Sequence, residues 1–279
     1  MKIAYGNYAT PDMSPLESAR FMADIGYEGV EFILHPIHQT MPAQWSSTMR
    51  SDVRTYLADQ GMGIASIFLA RPLLTDDPAE YTKTLDLLRE TRALAGDVGM
   101  GDTPVLTADL GGRSADWPEG REGLLERLLE VADIATRDDF VLAVEPHYGG
   151  LLDCAERTLW LMDALDGNPR VRLLFDISHF QLAGDPVLDT VAAMVPHSAH
   201  VHIKEGRHLA EGYEFLATGS GTLDLPAYLT AMADAGWDGY LTLEVARMIW
   251  SRADYDAHAV AVASYAATTT AMQEAGLRA

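Results

Sequence analysis

Short apolar runs rich in β-branched and aromatic residues alternate with longer, helix-like stretches along the whole chain. Apolar runs bounded by turn residues predict β-strands, and the periodic stretches between them predict helices. Ser14, Pro15 and Glu17 form a helix start signal. Gly26 and Gly61 stand where helices should stop. The predicted strands, eight in number, cover residues 2–6, 29–34, 63–69, 104–109, 140–145, 171–176, 199–204 and 239–244.

This strand–helix alternation predicts the fold class. Eight such units in 279 residues favour an α/β fold of the (β/α)8 TIM barrel type. Because 279 residues is a usual size for one barrel, we expect a single domain over residues 1–279. A doubly wound parallel sheet is the alternative. That fold usually carries a Gly-rich phosphate loop after its first strand, and residues 5–9 do not form one.

Polar residues lie at or near the carboxyl ends of the last four predicted strands. They are Glu145, Asp176, His202 and Glu244. In each of these strands bulky apolar residues occupy the alternate positions, and successive strand residues point to opposite sides. If the apolar set faces the helices, the polar set faces the barrel axis. It would then lie at the rim where barrel active sites are built.

The chemistry of these four residues favours a metal ion. Three carboxylates crowded together repel and cannot all stay ionised without a cation. Oxygen ligands with one imidazole suit Mn²⁺, Mg²⁺, Co²⁺ or Fe²⁺, while Zn²⁺ is possible but has no thiolate to favour it. We therefore expect one divalent ion, with Mn²⁺ as the first expectation. In the alternative interpretation each residue is an ordinary polar group in a solvated loop.

Composition and charge narrow the possible partners. Twenty Lys and Arg residues against 41 Asp and Glu residues give a formal net charge of −21. Because so acidic a surface repels phosphate backbones and anionic lipids, we expect neither nucleic acid nor a membrane as partner. The single cysteine, Cys154, excludes an intrachain disulfide and a Cys-based zinc site. The N-terminus lacks the apolar core of a signal peptide, so we expect a cytoplasmic protein.

The stretches that carry these residues resemble the xylose-isomerase-like superfamily of sugar and sugar-phosphate isomerases and epimerases. The resemblance implies a TIM barrel and places the metal ligands of the superfamily on the same four positions. It also implies that Glu145 and Glu244 bracket the substrate and move protons, and that His179 contacts substrate or a further metal. The motifs are LAVEPHYGG at 142–150, LFDISHF at 174–180, AHVHIK at 199–204, GSGTLD at 219–224 and GWDGYLTLE at 236–244.

Further residues near these strand ends are candidates for acid–base chemistry or substrate binding. His147 is either a second acid–base group or a loop histidine bonded to backbone. Lys204 and Arg207 either meet substrate oxygens or are solvated rim charges, and Trp250 either stacks on a sugar ring or packs in the core. His200 lies one layer deeper, where it would orient the site and not bind the metal. Three weaker candidates for the pocket wall lie near the second strand: Glu31, His35 and His38.

The resemblance implies a metal-dependent enzyme that acts on a small polyhydroxylated carbonyl compound. One glutamate would remove a proton from the carbon next to the carbonyl, and the other glutamate or His147 would return a proton to the resulting enediolate. This reaction is aldose–ketose isomerisation or epimerisation at C3. A sugar-binding barrel without activity is disfavoured because all four ligand positions are filled.

A lyase is the alternative reaction. If a good leaving group lies β to the carbonyl, the same enolate expels it. The C-glycoside deglycosidase catalytic (alpha) subunits of this superfamily cleave 3-oxo-glucosides in this way with a small β-rich partner subunit, and residues 145–147 and 244–256 resemble that branch. We expect a homo-oligomer or a hetero-oligomer with such a subunit. Endonuclease-IV-like DNA repair shares the barrel but needs a basic groove, which the charge of −21 opposes.

Overall fold

The computed structural model describes residues 1–38, 40–75 and 77–278. Eight parallel strands close into a barrel in the order β1-β10-β7-β6-β5-β4-β3-β2, with β10 paired to β1. The predicted TIM barrel is confirmed, and the doubly wound sheet is wrong because this sheet closes on itself. The strands are β1 (Lys2–Gly6), β2 (Gly29–Leu34), β3 (Gly63–Leu69), β4 (Val105–Asp109), β5 (Val141–Glu145), β6 (Val171–Asp176), β7 (Ser198–Ile203), the hairpin strands β8 (Glu205–His208) and β9 (Tyr213–Leu216), and β10 (Tyr240–Leu243).

Helices surround the barrel between its strands. The first begins as the sequence predicts, because the Ser14 side chain accepts the Glu17 N–H and the Glu17 carboxylate accepts the Ser14 N–H. It stops at Gly26, whose φ of 112° suits glycine. The helices are α1 (Pro15–Ile25), α2 (Ser47–Gln60), α3 (Pro78–Asp97), α4 (Trp117–Asp138), α5 (Ala155–Ala164), α6 (Ile177–Ala183), α7 (Val187–Met194), α8 (Leu225–Asp234), α9 (Arg247–Trp250) and α10 (Ala257–Glu274).

Strands β7 and β10 end one residue earlier than the sequence predicts, and this changes the position of two site residues. Strand β7 ends at Ile203 and β10 ends at Leu243, so Lys204 and Glu244 follow their strands and do not end them. The hairpin of β8 and β9 was also not predicted. It is antiparallel and pairs Glu205 with Leu216, which covers one side of the rim directly after β7.

Register shifts decide which side chains face the barrel axis. Strand β3 carries one extra residue, Ala65, so that Glu31 pairs with Ser66. Strand β7 also carries one extra residue opposite β6, after which Asp176 pairs with His202. A one-residue offset turns every following side chain to the other face, and such bulges often lie beside active sites. The two shifts therefore bring polar side chains of β2, β3, β6 and β7 to the axis together.

The apolar core lies between the barrel and the helices. Outward-facing strand residues such as Phe32 and Phe175 are fully buried there. The barrel axis is different, since TIM barrels usually fill it with branched apolar side chains. Here buried polar side chains, among them Ser66, Thr107 and His200, occupy part of that space. Buried polar groups need hydrogen-bond partners, so this layer ties the scaffold to the site above it.

Candidate metal centre

Four side chains from neighbouring strands of the barrel converge at its carboxyl-terminal rim. Glu145 and Asp176 end β5 and β6, His202 lies near the end of β7, and Glu244 follows β10. One ligand atom from each lies within 4.8 Å of those of the other three. His202 Nδ1 is 2.9 Å from Glu244 Oε2 and 3.8 Å from Glu145 Oε1. The structure thus brings the predicted ligand set together, and ion binding itself stays a prediction.

Glu145 shows that the set suits a cation. Its Oε1 is buried and has no hydrogen-bond partner among the described residues. Burial raises the pKa of its carboxyl to about 7, although the Lys204 ammonium opposes that rise. An unpaired buried carboxylate oxygen is costly. A divalent ion that accepts oxygen and nitrogen ligands would satisfy all four groups at once, so the residues present fit such an ion.

Lys204 is buried among the carboxylates and is not the solvated rim charge that the sequence left possible. Its Nζ contacts Asp176 Oδ2 and lies 2.7 Å from Glu244 Oε2 and 3.9 Å from Glu145 Oε1. Burial disfavours the ionised forms, but the attraction between these charges is stronger. The pKa of Lys204 is therefore raised, and that of Glu244 is lowered to about 2.

Two histidines stand beside Glu145. The rings of His147 and His179 lie 4.0 Å apart between centroids. His179 Nδ1 accepts the Tyr148 N–H at 3.2 Å, so the neutral ring carries its proton on Nε2. That Nε2 lies 3.4 Å from Glu145 Oε1. Burial, helped by the Lys204 charge, keeps the pKa of His179 well below its usual value, so the ring is neutral.

An inner polar cluster, defined as Glu31, Ser66, Thr107 and His200, lies beneath His202. Glu31 Oε2 is 2.8 Å from His202 Nε2, and Glu31 Oε1 is 3.2 Å from His200 Nε2. The Ser66 hydroxyl donates to Glu31 Oε1, and Thr107 Oγ1 lies 3.5 Å from the same oxygen. His200 thus lies one layer deeper than the ligands, as its position in the sequence predicts.

Two adjoining cavities open onto these groups. One, of about 230 Å³, is lined by Glu145, His147, His202 and Glu244 together with Tyr8 and residues of β2, β3 and β4. The other, of about 200 Å³, lies on the side of the β8–β9 hairpin and shares Tyr8, Glu145, His147 and Glu244. It is also lined by two further predicted residues, His179 and Lys204. These volumes are small compared with pockets for drug-sized ligands, about 300–1,000 Å³.

Two predicted substrate contacts lie farther out. Arg207 is on the β8–β9 hairpin, where its half-exposed side chain pairs with Glu214 at 2.5 Å. Trp250 stands behind Tyr8, with 5.2 Å between ring centroids, and Tyr8 lines both cavities. Contact of either residue with a substrate stays a prediction.

Sequence reasoning missed two residues that line the larger cavity. Asp109 ends β4 in register with Glu145. A polar residue at the end of a strand whose neighbours are apolar is the same signal that identified Glu145, so Asp109 could have been predicted. Tyr8 lies in a short helical turn after β1 and gave no such signal.

Comparison with known proteins agrees with this architecture. The family model described as xylose isomerase-like TIM barrel matches residues 19–265. The chain belongs to the xylose isomerase-like TIM barrel family. No helix within the three described ranges has both the length and the apolarity needed to cross a membrane.

Individual relatives of this family member include enzymes of two reaction types. An L-ribulose-5-phosphate 3-epimerase from Shigella flexneri serotype 5b is 23% identical over 267 residues, which is 94% of this chain and 91% of that protein. An inosose dehydratase from Clostridium perfringens is 26% identical over 161 residues, or 52% of each chain. The solved structure of an IolI protein with a zinc atom matches with a TM-score of 0.81 at 16% identity, covering 98% of this chain and 99% of that one.

Proposed function

We propose that this member of the family is a divalent-metal-dependent sugar isomerase or epimerase. It would remove a proton from the carbon next to the carbonyl of a sugar or keto-sugar. The observation that carries the proposal is that two carboxylates of one candidate ligand set, Glu145 and Glu244, line the same cavity. They come from β5 and β10, which two other strands separate in the barrel. They can therefore approach a bound sugar from different sides.

The ion would be held by Glu145, Asp176, His202 and Glu244. When bound, a divalent ion polarises a carbonyl and acidifies the neighbouring C–H bond. Three carboxylates with one imidazole favour Mn²⁺ or Mg²⁺, with Co²⁺, Fe²⁺ or Zn²⁺ as other candidates. The IolI structure contains a zinc atom, which supports metal binding by a protein of this fold without fixing the identity of the ion here.

Each nearby side chain has a role in proton movement or orientation. Glu145 lines both cavities and has two carboxylate oxygens, so one oxygen can bind the ion while the other takes the proton. Glu244 or His147 returns a proton on the other side of the sugar after taking one up from solvent. His179 Nε2–H and Lys204 Nζ are buried donors that can orient substrate oxygens. The small cavity limits the water that competes with this transfer.

The lining of the larger cavity favours an uncharged sugar over a sugar phosphate. Its described lining residues include Glu31, Asp109, Glu145 and Glu244 but neither Lys nor Arg. A phosphate is usually bound by Arg, Lys or a helix N-terminus. Arg247 lines only the smaller cavity. We therefore place free ketoses ahead of their phosphates as substrates.

A second candidate function is a lyase. His147 lies beside Glu145 and lines both cavities, so an acid is available to a leaving group near the base. The inosose dehydratase among the relatives supports elimination after proton removal. The C-glycoside deglycosidase branch, with its partner subunit, stays a prediction of the same chemical class.

The test is exchange of the substrate proton with solvent. The chain is loaded with Mn²⁺ and incubated in D₂O with free ribulose, fructose, ribulose 5-phosphate or inosose, and recovered sugars are analysed by NMR and mass spectrometry. An isomerase or epimerase should incorporate deuterium at the carbon next to the carbonyl, whereas a lyase should form an unsaturated ketone that absorbs in the ultraviolet. The control variant is Glu214→Gln, which changes a carboxylate on the hairpin outside both cavities.

Activity should disappear on chelation, return with Mn²⁺, and be lost in Glu145→Gln while Glu214→Gln remains active. Substrate consumption with neither label nor enone would contradict proton abstraction. A metal-free protein with full activity would contradict the role of the ion.

A further inference from the structure

His202 offers two ring nitrogens, and the structure gives each a different partner. Nδ1 faces the other ligands, 2.9 Å from Glu244 Oε2. Nε2 points the opposite way, 2.8 Å from Glu31 Oε2. We propose that Glu31 is a positioning residue that holds His202 with its proton on Nε2 and its Nδ1 lone pair toward the ion. This inference rests on the proposed metal-dependent function.

The carboxylate of Glu31 is itself held in place. It is buried, and its Oε1 accepts the Ser66 hydroxyl while lying 3.2 Å from His200 Nε2. Its other oxygen is then directed at His202. A histidine that binds a metal commonly donates its second N–H to a carboxylate, which fixes the tautomer and orientation of the ring and makes it a better ligand.

The register of the barrel supports this role. The extra residue in β3 turns Ser66 to the axis opposite Glu31, and the extra residue in β7 turns His200 and His202 to the axis. Without either shift the partners would lie on opposite faces of the sheet. The shift in β3 thus serves the contact between Glu31 and Ser66, and the shift in β7 serves the contact between Glu31 and His202.

Glu31, His200 and His202 lie close enough together to form a second metal site. We nevertheless do not assign Glu31 as a metal ligand. The 2.8 Å between Glu31 Oε2 and His202 Nε2 is the length of a direct hydrogen bond. Both oxygens of Glu31 also have partners, Ser66 and His202, whereas Glu145 Oε1 has none among the described residues. We therefore treat Glu31 as a hydrogen-bond partner of His202 and not as a ligand.

The experiment measures metal binding and not turnover. Metal-free wild-type, Glu31→Gln and Glu31→Ala proteins are titrated with Mn²⁺ and with Co²⁺, and the visible absorption of bound Co²⁺ reports ligand geometry. Glu31→Gln keeps the size of the side chain and one acceptor oxygen, so it serves as the test if Glu31→Ala does not fold. The matched control is Thr242→Val, which removes a buried hydroxyl of the barrel axis that has no hydrogen-bond partner among the described residues.

Loss of the Glu31 carboxylate that holds His202 should weaken metal affinity by about 10–100-fold in Glu31→Ala and by less in Glu31→Gln. The Co²⁺ spectrum should change in both, and Thr242→Val should match wild type. Folded Glu31 variants with wild-type affinity and spectrum would overturn the role of Glu31 while leaving the proposed function intact. Two bound ions in wild type, one of them lost in Glu31→Ala, would make Glu31 a ligand instead. A wild-type protein that binds no ion would overturn both proposals.

Discussion

Glu205 follows Lys204 directly and is buried, although it carries a charge. Its Oε1 accepts the N–H groups of Gly219 and Gly221 at 2.9 and 3.1 Å, and its Oε2 accepts that of Leu223 at 2.8 Å. All three donors belong to the GSGTLD motif at 219–224. The motif therefore anchors the chain after the β8–β9 hairpin to the residue beside Lys204. We predict that Glu205→Ala lowers the stability of the protein through the loss of this anchor.

The size of the effect follows from the three hydrogen bonds. A hydrogen bond to a charged group contributes about 1.5–3 kcal/mol to the free energy of unfolding. Gly219 and Gly221 are exposed, so water can replace part of what the carboxylate supplies to them. We therefore expect a total loss of about 3 kcal/mol. For 279 residues, with an unfolding entropy of about 2.1 cal/mol/K per residue, this corresponds to a fall in Tm of roughly 5 °C.

The assay is thermal and urea unfolding, together with hydrogen exchange of the Gly219, Gly221 and Leu223 amides. Glu205→Gln keeps one acceptor oxygen but turns an NH₂ group toward a donor, so its cost should lie between those of wild type and Glu205→Ala. Glu214→Ala is the control because it breaks partly exposed pairs with Arg207 and Arg252, and pairs near the surface are each worth about 1 kcal/mol or less. A Glu205→Ala protein as stable as this control, with the three amides still protected, would refute the reasoning.

Three further predictions concern the candidate site. Glu145→Gln and Glu244→Gln each remove a proton-transfer group, so each should lower the rate about 10²–10⁴-fold in the deuterium-exchange assay; a smaller loss in both would contradict their roles. His147→Ala and His179→Ala should impair turnover but leave Tm and metal content near wild type, and loss of folding would indicate a structural role. Burial raises the pKa of Glu145 to about 7 in the metal-free protein, so below that pH an ion must displace a proton. Mn²⁺ affinity, measured by calorimetry, should then fall more steeply with decreasing pH below 7 than above it; a profile with no such bend would contradict this.

Strand parity explains why much of the site could be predicted from sequence. Apolar residues alternate with Glu145, Asp176, His202 and Glu244, and a period of two leaves only two faces to choose between. Because the strands are parallel, their carboxyl ends meet at one rim, so four separate patterns predict one cluster. The family resemblance reaches the same four positions.

Other features depend on contacts that no local pattern records. Lys204 has the parity of His202, but its burial follows from three carboxylates supplied by other strands. The contacts of Glu31 with Ser66 and His202 depend on single extra residues in β3 and β7. These extra residues can be recognised only once the neighbouring strands are paired. Arg207 looks like a rim charge in the sequence, and only the unpredicted hairpin shows that it pairs with Glu214.

The two clusters of acids and histidines at the axis differ in how well their carboxylate oxygens are satisfied. Both oxygens of Glu31 have partners, one in Ser66 and the other in His202. Glu145 Oε1, about one layer higher, is buried without a hydrogen-bond partner among the described residues. A carboxylate with partners on both oxygens is held in place, whereas an unsatisfied buried oxygen costs free energy until a cation or proton reaches it. The oxygens of Glu31 thus have partners while Glu145 Oε1 has none, which is why we place the ion at the rim and not deeper in the barrel.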